Sequence, residues 1–330
     1  MRAAVVKKFG PILSHRLDSM PDPTPAVGEV LLTIKAVAVN YVDSLVVTGK
    51  YQFLPERPFV PGKLPAGIVS ALGKDVQDLK VGDRVLALAE QGGYAERIVV
   101  PARDCFRLPS AMTFVDAASM ALVYDTAWFA LRERARLRAG ETVLVLGGTG
   151  GVGLAAIQLA KAWGAKVLAG VSNPDKAPLA LSAGADAIVD LSKENLRDSL
   201  REQVFHSNNG SGVDIVLDPV GGDAFDAALR ALAWRGRLVV IGFAAGRIPT
   251  VKANYLLVKN IEVSGLQISD YRKRTPDLMA QCMDEIFALY EAGKLTPAPT
   301  VTRPLQDFAQ ALQDVVDRRV VGRVVLVPNA

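Results

Sequence analysis

The sequence has few of the residues that bind metals or form disulfides. Among its 330 residues there are two cysteines, Cys105 and Cys282, and two histidines, His15 and His206. The cysteines are too few and too far apart for a disulfide framework or a four-cysteine zinc site. Neither histidine lies within ligand spacing of a cysteine or of the other histidine. The sequence therefore predicts no metal site.

Long hydrophobic runs and runs of like charge are also missing. No apolar stretch reaches about 18 uninterrupted residues, and the N-terminus lacks the layout of a signal peptide. The 38 basic and 34 acidic side chains are scattered along the chain, without a basic run of the kind that binds nucleic acid. We expect a cytoplasmic protein with no membrane or nucleic-acid partner, whose formal charge of +4 suits an anionic small molecule.

Half of the residues are hydrophobic and the chain is longer than one domain usually runs, so two domains are expected. Up to about residue 110, short Val, Ile and Leu runs are punctuated by Gly and Pro, which is typical of a mostly β domain. Near Ala117 the pattern changes to alternating strands and helices, which indicates an α/β fold with a parallel sheet covered on both faces. Strands are predicted over residues 142–146, 166–171, 187–189, 213–217, 237–241 and 261–265.

The last part of the chain has a helical pattern over residues 305–316, followed by an apolar strand over 324–327. A single strand with unpaired edges is unfavourable. We therefore expect this strand to return to the first domain and complete its sheet.

A glycine-rich loop joins the first predicted strand of the second domain to the helix after it. Glycines in such a loop allow a tight turn, let backbone N–H groups approach a pyrophosphate and let the helix pack close to the strand. The loop predicts a nicotinamide dinucleotide site, and a strand-to-helix turn without a ligand is the alternative. Its residues, which fit the pattern G-x-G-x-x-G, are Gly148, Thr149, Gly150, Gly151, Val152 and Gly153.

The end of the second strand indicates which dinucleotide binds. An acidic residue there favours NAD, because a carboxylate accepts the ribose hydroxyls, but this chain has Ser172 and Asn173, followed by Lys176. A hydroxyl, an amide and a cation suit the 2′-phosphate of NADPH, which is the predicted cofactor. In the alternative, Lys176 is a solvated helix residue and Asp175 binds the ribose of NAD.

Two further turns, after Asp218 and after Ile241, are expected at the carboxyl edge of the sheet, where ligands of such folds collect. We predict that Gly242 and Phe243 pass over the nicotinamide ribose. Turn residues without a ligand contact are the alternative.

Further motifs accompany the glycine loop over nearly the whole chain, at residues 39–43, 49–51, 61–62, 81–85, 92–96, 126–127, 140–145, 184–186 and 218–222. In this order they resemble the medium-chain dehydrogenase/reductase superfamily, in the zinc-free quinone oxidoreductase branch that includes zeta-crystallin. The resemblance implies a discontinuous GroES-like catalytic domain, residues 1–120 with 266–330, and a Rossmann domain, residues 121–265, with the active site between them.

The resemblance also implies site residues. Tyr51 matches a tyrosine of the substrate cleft, and Asn40 and Asp43 match a motif on the nicotinamide side, so Tyr51 and Asn40 are the predicted catalytic residues. Thr126 matches a threonine near the nicotinamide, although it is equally explained as a helix hydroxyl that bonds its own backbone. Arg318 matches a C-terminal arginine that reaches the adenosine phosphate in some relatives.

Zinc-dependent members of the superfamily need a cysteine near Asn40 and a Gly-His-Glu sequence after the proline. This chain has Asn40 at the first place and Gly62, Lys63 and Leu64 at the second, so both zinc ions are expected to be absent. Lys63 is either an electrophilic donor or, as we favour, a solvated lysine. Leu45 stands where quinone reductases of the family commonly have a tyrosine.

Without zinc, reduction of a quinone or an α,β-unsaturated carbonyl is favoured, because these acceptors delocalise the charge that hydride brings. The Tyr51 phenol can donate a hydrogen bond to the oxygen that becomes negative. The alternatives are an enoyl-thioester (acyl-CoA type) reductase and a non-catalytic NADPH-binding protein. The family usually dimerises through a Rossmann sheet edge, so a homodimer is expected, with residues 261–266 as the candidate strand.

Overall fold

The structure is a computed structural model that describes residues 1–328. The chain divides into two compact units, which we call unit 1 and unit 2. Unit 1 consists of Met1–Leu122 and the segment that begins at Pro297, and unit 2 is Val123–Thr296.

The secondary structure follows the chain in three parts. Before residue 123 the elements are β1 (Arg2–Ala4), β2 (Leu17–Ser19), β3 (Glu29–Ala38), α1 (Tyr41–Val47), β4 (Ala66–Leu72), β5 (Arg84–Ala87), β6 (Arg97–Pro101), β7 (Cys105–Arg107) and α2 (Phe114–Met120). Unit 2 contains α3 (Val123–Trp128), β8 (Thr142–Leu146), α4 (Gly151–Ala162), β9 (Lys166–Val171), α5 (Ala177–Ser182), β10 (Ala187–Asp190), α6 (Leu196–Ser207), β11 (Val213–Asp218), α7 (Gly222–Ala231), β12 (Leu232–Val240), α8 (Ala253–Lys259), β13 (Glu262–Gly265), α9 (Ile268–Arg274) and α10 (Pro276–Glu291). After it come β14 (Thr300–Pro304), α11 (Phe308–Val316) and β15 (Arg323–Val327).

Unit 1 contains a sheet in the order β14-β15-β3-β4-β5-β7, and β6 also pairs with β3. The long strand β3 is largely buried and has neighbours along both edges. Strand β15 pairs with β3 antiparallel, with Leu326 opposite Val37, which confirms the predicted return of the C-terminal strand. Its apolar side chains pack with Tyr94 and Phe308 in one of the two cores of this unit.

Unit 2 contains six parallel strands in the order β10-β9-β8-β11-β12-β13. All five residues of β8 are buried, as expected for a central strand covered by helices on both faces. The chain runs from β8 outwards to β10 and then crosses to β11, so the strand order reverses beside β8. This confirms the predicted doubly wound α/β fold, in which ligands bind at the carboxyl ends of the strands next to the reversal.

Unit 2 extends past residue 265, where the Rossmann domain was expected to end, and includes residues 266–296. Helices α9 and α10 are held to α3 and to the end of α4 by polar contacts. Arg272 forms an ion pair with Asp125 at 2.5 Å, with both side chains at least 96% buried. Glu285 accepts hydrogen bonds from the indole N–H groups of Trp128, at 2.6 Å, and Trp163, at 2.9 Å. These contacts join residues more than a hundred positions apart and leave no periodic signal in the sequence.

One helical stretch in the described part of the chain, Phe114–Arg134, is long and apolar enough to cross a membrane. Because 78% of its most apolar window is buried inside the protein, it has the character of a core helix.

Candidate functional site

The glycine-rich loop of unit 2 lies between β8 and α4, and its backbone approaches other backbone closely. A Cβ atom at Gly153 would lie 2.2 Å from the Gly147 carbonyl oxygen, and one at Gly148 would lie 2.9 Å from the Ala169 Cβ. Any side chain at either place would force α4 or β9 to move. The two glycines therefore meet the steric requirement that the G-x-G-x-x-G pattern predicts.

The same loop presents backbone donors at the start of α4. Within residues 1–328, the N–H groups of Gly151, Val152 and Gly153 make no backbone hydrogen bond, whereas that of Leu154 already donates to the Gly150 carbonyl. Free N–H groups at the positive end of a 12-residue helix suit a phosphate. The residues present therefore fit a dinucleotide pyrophosphate, with α4 as the element that aims the donors.

Asp218 joins the two turns at the carboxyl edge of the sheet. Its Oδ1 accepts hydrogen bonds from the N–H groups of Val220 and Gly221, both at 2.8 Å, and its backbone carbonyl accepts from Ile241 at 2.8 Å and Gly242 at 3.3 Å. The turn after β11 is thus tied to the turn that carries Gly242 and Phe243. A Cβ at Gly147 would lie 3.1 Å from Val220, so this edge also adjoins the glycine loop.

Ser172, Asn173 and Lys176 follow β9 on the same side of the sheet. Ser172 and Asn173 are exposed, and Lys176 is partly buried. The Asn173 side chain accepts a hydrogen bond from the Asp175 N–H at 3.0 Å, which fixes the turn into the following helix. The N–H of Gly148 donates to Gly170 at 2.9 Å, so the end of β9 adjoins the glycine loop. Unit 2 thus brings together the predicted pyrophosphate and 2′-phosphate residues.

In unit 1, Asn40 and Asp43 form one buried hydrogen-bonded group. Asn40 precedes α1, and its backbone N–H donates to the Asp43 carboxylate at 3.1 Å. The Tyr94 hydroxyl donates to the same Asp43 oxygen at 2.8 Å. The Asn40 side chain donates to the Ala38 carbonyl at 3.3 Å and accepts from Arg323 at 2.8 Å. Asn40 is 4% exposed and Asp43 is 1% exposed.

Burial controls the protonation of this group. Burial raises the pKa of Asp43, while the Lys63 charge and the hydrogen bonds from Tyr94 and Asn40 oppose that rise. Burial, together with the Asp43 charge, raises the pKa of Tyr94 well above its ordinary value. Tyr94 is therefore a protonated donor at neutral pH.

Lys63 is not the solvated side chain that we favoured from the sequence. It is 7% exposed, and its ammonium donates to the Glu90 carboxylate at 2.6 Å and to the Glu90 carbonyl at 3.0 Å. The partner lies 27 positions away, so the sequence could not identify it. In residues 1–328, no group of three or more His, Cys, Asp and Glu side chains is arranged to hold a metal ion.

The remaining predicted residues are Tyr51 and Arg318 in unit 1 and Thr126 in unit 2. Tyr51 is partly buried against the apolar core of unit 1, with its ring edge-on to the exposed Phe53 at 6.4 Å between centroids. Arg318 lies on the exposed turn after α11, with a left-handed φ of 58°. In unit 2, Thr126 is buried on α3. Their roles stay predictions.

Two residues to which sequence reasoning gave no role belong to the buried group of unit 1. Tyr94 lies in the glycine-rich 92–96 motif, but nothing in that motif indicates that its hydroxyl reaches Asp43. Arg323 opens the apolar strand β15, one residue before the predicted start of that strand, and a charge next to an apolar run is the signal that could have identified it.

Comparison with known proteins gives matches to both units. Residues 26–110 match the model of the alcohol dehydrogenase GroES-like domain, and residues 151–285 match that of the zinc-binding dehydrogenase family. The chain is 37% identical to quinone oxidoreductase-like protein 2 homolog of Nematostella vectensis over 301 residues, which cover 90% of this chain and 81% of that protein.

Solved structures with the same fold cover the whole molecule. A mycobacterial protein in complex with NADPH is 33% identical, with a TM-score of 0.91 over 99% of this chain and 100% of that one. The Escherichia coli quinone oxidoreductase in complex with NADPH is 29% identical, with a TM-score of 0.91 and the same coverage of both chains.

Proposed function

The chain belongs to the quinone oxidoreductase branch of the medium-chain dehydrogenase/reductase superfamily, and from this membership we propose that it reduces a quinone or an α,β-unsaturated carbonyl without zinc. It is an oxidoreductase of quinone oxidoreductase type with NADPH as its cofactor, in keeping with two similar structures that are NADPH complexes. The observation that carries the cofactor part of the proposal is the glycine loop, where Gly148 and Gly153 have no room for a side chain and α4 begins with N–H groups that make no backbone hydrogen bond within residues 1–328.

The cofactor is assigned to residues of unit 2. The N–H groups of Gly151, Val152 and Gly153 bind the pyrophosphate, and Ser172, Asn173 and Lys176 bind the 2′-phosphate. Bound NADPH supplies the hydride. The turn of Gly242 and Phe243, tied to Asp218, bounds the nicotinamide side of the site.

Zinc independence is proposed from the chemistry of the side chains. Where zinc-dependent relatives supply a thiolate and an imidazole, this chain has the Asn40 amide and the Lys63 ammonium. An ammonium paired with Glu90 cannot donate electrons to a metal ion, and its charge repels one. These residues do not fit a zinc ion.

The acceptor is assigned to Tyr51 and Asn40. A phenol donates a hydrogen bond to the acceptor oxygen as negative charge develops there, and the buried amide of Asn40 holds a second donor in a fixed place. Neither Tyr51 nor Asn40 has to gain or lose a proton before the hydride is transferred.

We propose that the partners of the protein are this small-molecule acceptor and a second copy of the chain, with no nucleic acid or membrane, and that the protein is cytoplasmic.

The function is tested with purified protein, NADPH or NADH, and a panel of acceptors, by the loss of nicotinamide absorbance. The panel contains 1,4-benzoquinone, 9,10-phenanthrenequinone, an enone and an enoyl-CoA, with a primary alcohol and oxidised cofactor as the reverse arm. We expect turnover with a quinone or the enone, undiminished by a chelator. Turnover with the enoyl-CoA alone would replace the proposal by the thioester reductase, and binding of NADPH without turnover would replace it by a non-catalytic protein.

Tyr51→Phe tests the predicted donor. We expect kcat to fall by about 10- to 100-fold, because one donor to the developing oxyanion is lost, with the Kd of NADPH unchanged. Tyr255→Phe, which removes a hydroxyl from α8 of unit 2, is the control. An unchanged kcat in Tyr51→Phe would remove this residue from the catalytic step.

Lys176→Met tests the preference for the phosphorylated cofactor. We expect the Kd of NADPH to rise about tenfold, because a charge-assisted hydrogen bond to the 2′-phosphate is lost, while the Kd of NADH stays the same. Lys193→Met, an exposed lysine of the same unit, is the control. Equal changes for both cofactors would contradict the assignment and direct attention to Asp175.

A further inference from the structure

A buried arginine supports the candidate site of unit 1. Arg323 is the first residue of β15, is 8% exposed and is followed by four apolar residues of the strand. Burying a guanidinium is unfavourable unless its N–H groups find acceptors. An apolar residue would complete the strand more simply, so the position calls for a specific explanation.

The guanidinium has acceptors on two other elements. Its Nη2 donates to the Asn40 side-chain oxygen at 2.8 Å, just before α1, and its Nε donates to the Ser119 carbonyl at 3.2 Å, on α2. Two bonds in different directions fix the plane of the group. These two hydrogen bonds connect strand β15 to α2 and to Asn40, the residue that we assign to the acceptor.

These contacts determine which way the Asn40 amide points. A guanidinium has only donors, so the amide oxygen must face Arg323. The amide nitrogen donates to the Ala38 carbonyl at 3.3 Å, and a carbonyl only accepts. A rotated amide would place its NH2 against the guanidinium and its oxygen against the carbonyl, losing both bonds.

We propose that Arg323 is a positioning residue that fixes the orientation of the Asn40 amide and strengthens its N–H groups as donors. The positively charged guanidinium, hydrogen-bonded to the amide oxygen, draws electron density away from the amide nitrogen. The hydrogens on that nitrogen then interact more strongly with a developing negative charge. The proposal rests on the proposed function, since it matters for turnover only if Asn40 faces the acceptor. It adds to that function a residue outside every predicted motif.

The test is a double-mutant cycle with Asn40→Ala and Arg323→Met, with kcat, KM and the Kd of NADPH as readouts. We expect Arg323→Met to lower kcat about tenfold, less than the loss of a direct donor, with the Kd of NADPH unchanged. Because Arg323 acts through Asn40, Arg323→Met should lower kcat no further once residue 40 is alanine. Arg323→Lys, which retains charge and donors, should recover most of the activity.

An equal loss of kcat from Arg323→Met in both backgrounds would overturn the proposal, because the arginine would then act without Asn40. Arg319→Met, a neighbouring exposed arginine, is the control and should leave kcat unchanged. If Arg323→Met does not fold, Arg323→Gln keeps a donor without the charge and should give an intermediate kcat that again depends on Asn40.

A second readout does not depend on turnover. The side-chain amide signal of Asn40 in the NMR spectrum, assigned by its loss in Asn40→Ala, should shift strongly in Arg323→Met and hardly in Arg319→Met. An unshifted signal would overturn the proposal. If the natural sequence reduces no acceptor, the proposed function fails, while the amide signal still decides whether Arg323 orients Asn40.

Discussion

Asp218 lies fully buried at the carboxyl end of β11, where its Oδ1 holds the turn to α7. Among the residues that the structure describes, its Oδ2 has no hydrogen-bond partner. Burial raises the pKa of Asp218, and the nearby charge of Asp226 acts in the same direction, against the two N–H bonds from Gly221 and Val220. The folded protein therefore binds a proton at Asp218 more tightly than the unfolded chain does.

This difference makes stability depend on pH in a defined direction. Because the native state holds the proton more tightly, the free energy of unfolding contributed by Asp218 falls as pH rises from the ordinary aspartate pKa to the raised native one. Above the native pKa the loss is complete. An asparagine keeps the oxygen that accepts from Val220 and Gly221 but cannot ionise.

We expect Asp218→Asn to gain stability relative to the natural sequence as pH rises from about 4 to about 8, measured by urea unfolding at several pH values. Asp284→Asn, an exposed aspartate on α10, is the control. A stability difference between Asp218→Asn and the natural sequence that stays constant over this range would contradict the inferred titration.

Single residues were the hardest features to predict. The sequence indicated that Asn40 and Tyr51 have special roles, through their motifs, but not what surrounds them. Lys63 has its partner Glu90 27 positions away, and Asn40 has its partner Arg323 at the other end of the chain. The Asn40–Arg323 pair depends on the register of β3 against β15, which apolar periodicity does not specify.

At the scale of elements, the glycine loop combines a tight and a tolerant position. A Cβ at Gly153 would lie 2.2 Å from a backbone oxygen, whereas one at Gly150 would lie no closer than 3.3 Å to any other atom. Gly150 has a φ of −82°, which any residue adopts. Both positions carry a glycine of the motif, but only the one at residue 153 leaves no room for a Cβ within the protein.

We therefore expect Gly153→Ala to displace the start of α4 and to weaken NADPH binding at least tenfold, with a loss of stability of about 1–3 kcal/mol. Gly150→Ala is the matched control for stability, which it should change much less, since its Cβ has room within the protein. NADPH fluorescence titration and thermal unfolding measure the two effects. Equal losses of stability in the two variants would mean that the close approach at Gly153 does not set the geometry of the loop.

The strands of unit 2 were predictable where burial is continuous. Strands β8 and β9 have the predicted bounds, because a run of apolar residues between turn signals is typical of a strand buried on both faces. Strand β12 begins at Leu232, five residues before the predicted start, and its first part contains an exposed Trp234 and a glycine. This part is held by pairing with β11 across a register shift, and such pairing leaves no local pattern.

At the scale of the whole molecule, one side of unit 2 exposes large apolar side chains. Within residues 1–328, strand β13 pairs only with β12 and forms an edge of the sheet. The helix before it, α8, has no buried residue, although Leu257 and Val258 are 79% and 76% exposed. Trp234, on β12, is 71% exposed. An exposed apolar surface beside an unpaired strand edge favours association with a second copy of the chain.

We expect sedimentation to give a dimer for the natural sequence and a monomer for Leu257→Glu with Val258→Glu, because each glutamate would be desolvated in the interface. Leu181→Glu is the control: this residue is 47% exposed on α5, which contacts the strand at the other edge of the sheet, and the variant should remain dimeric. A monomeric natural sequence would contradict the homodimer altogether. A dimer that survives both glutamates would place the contact elsewhere and leave α8 to be explained by another partner.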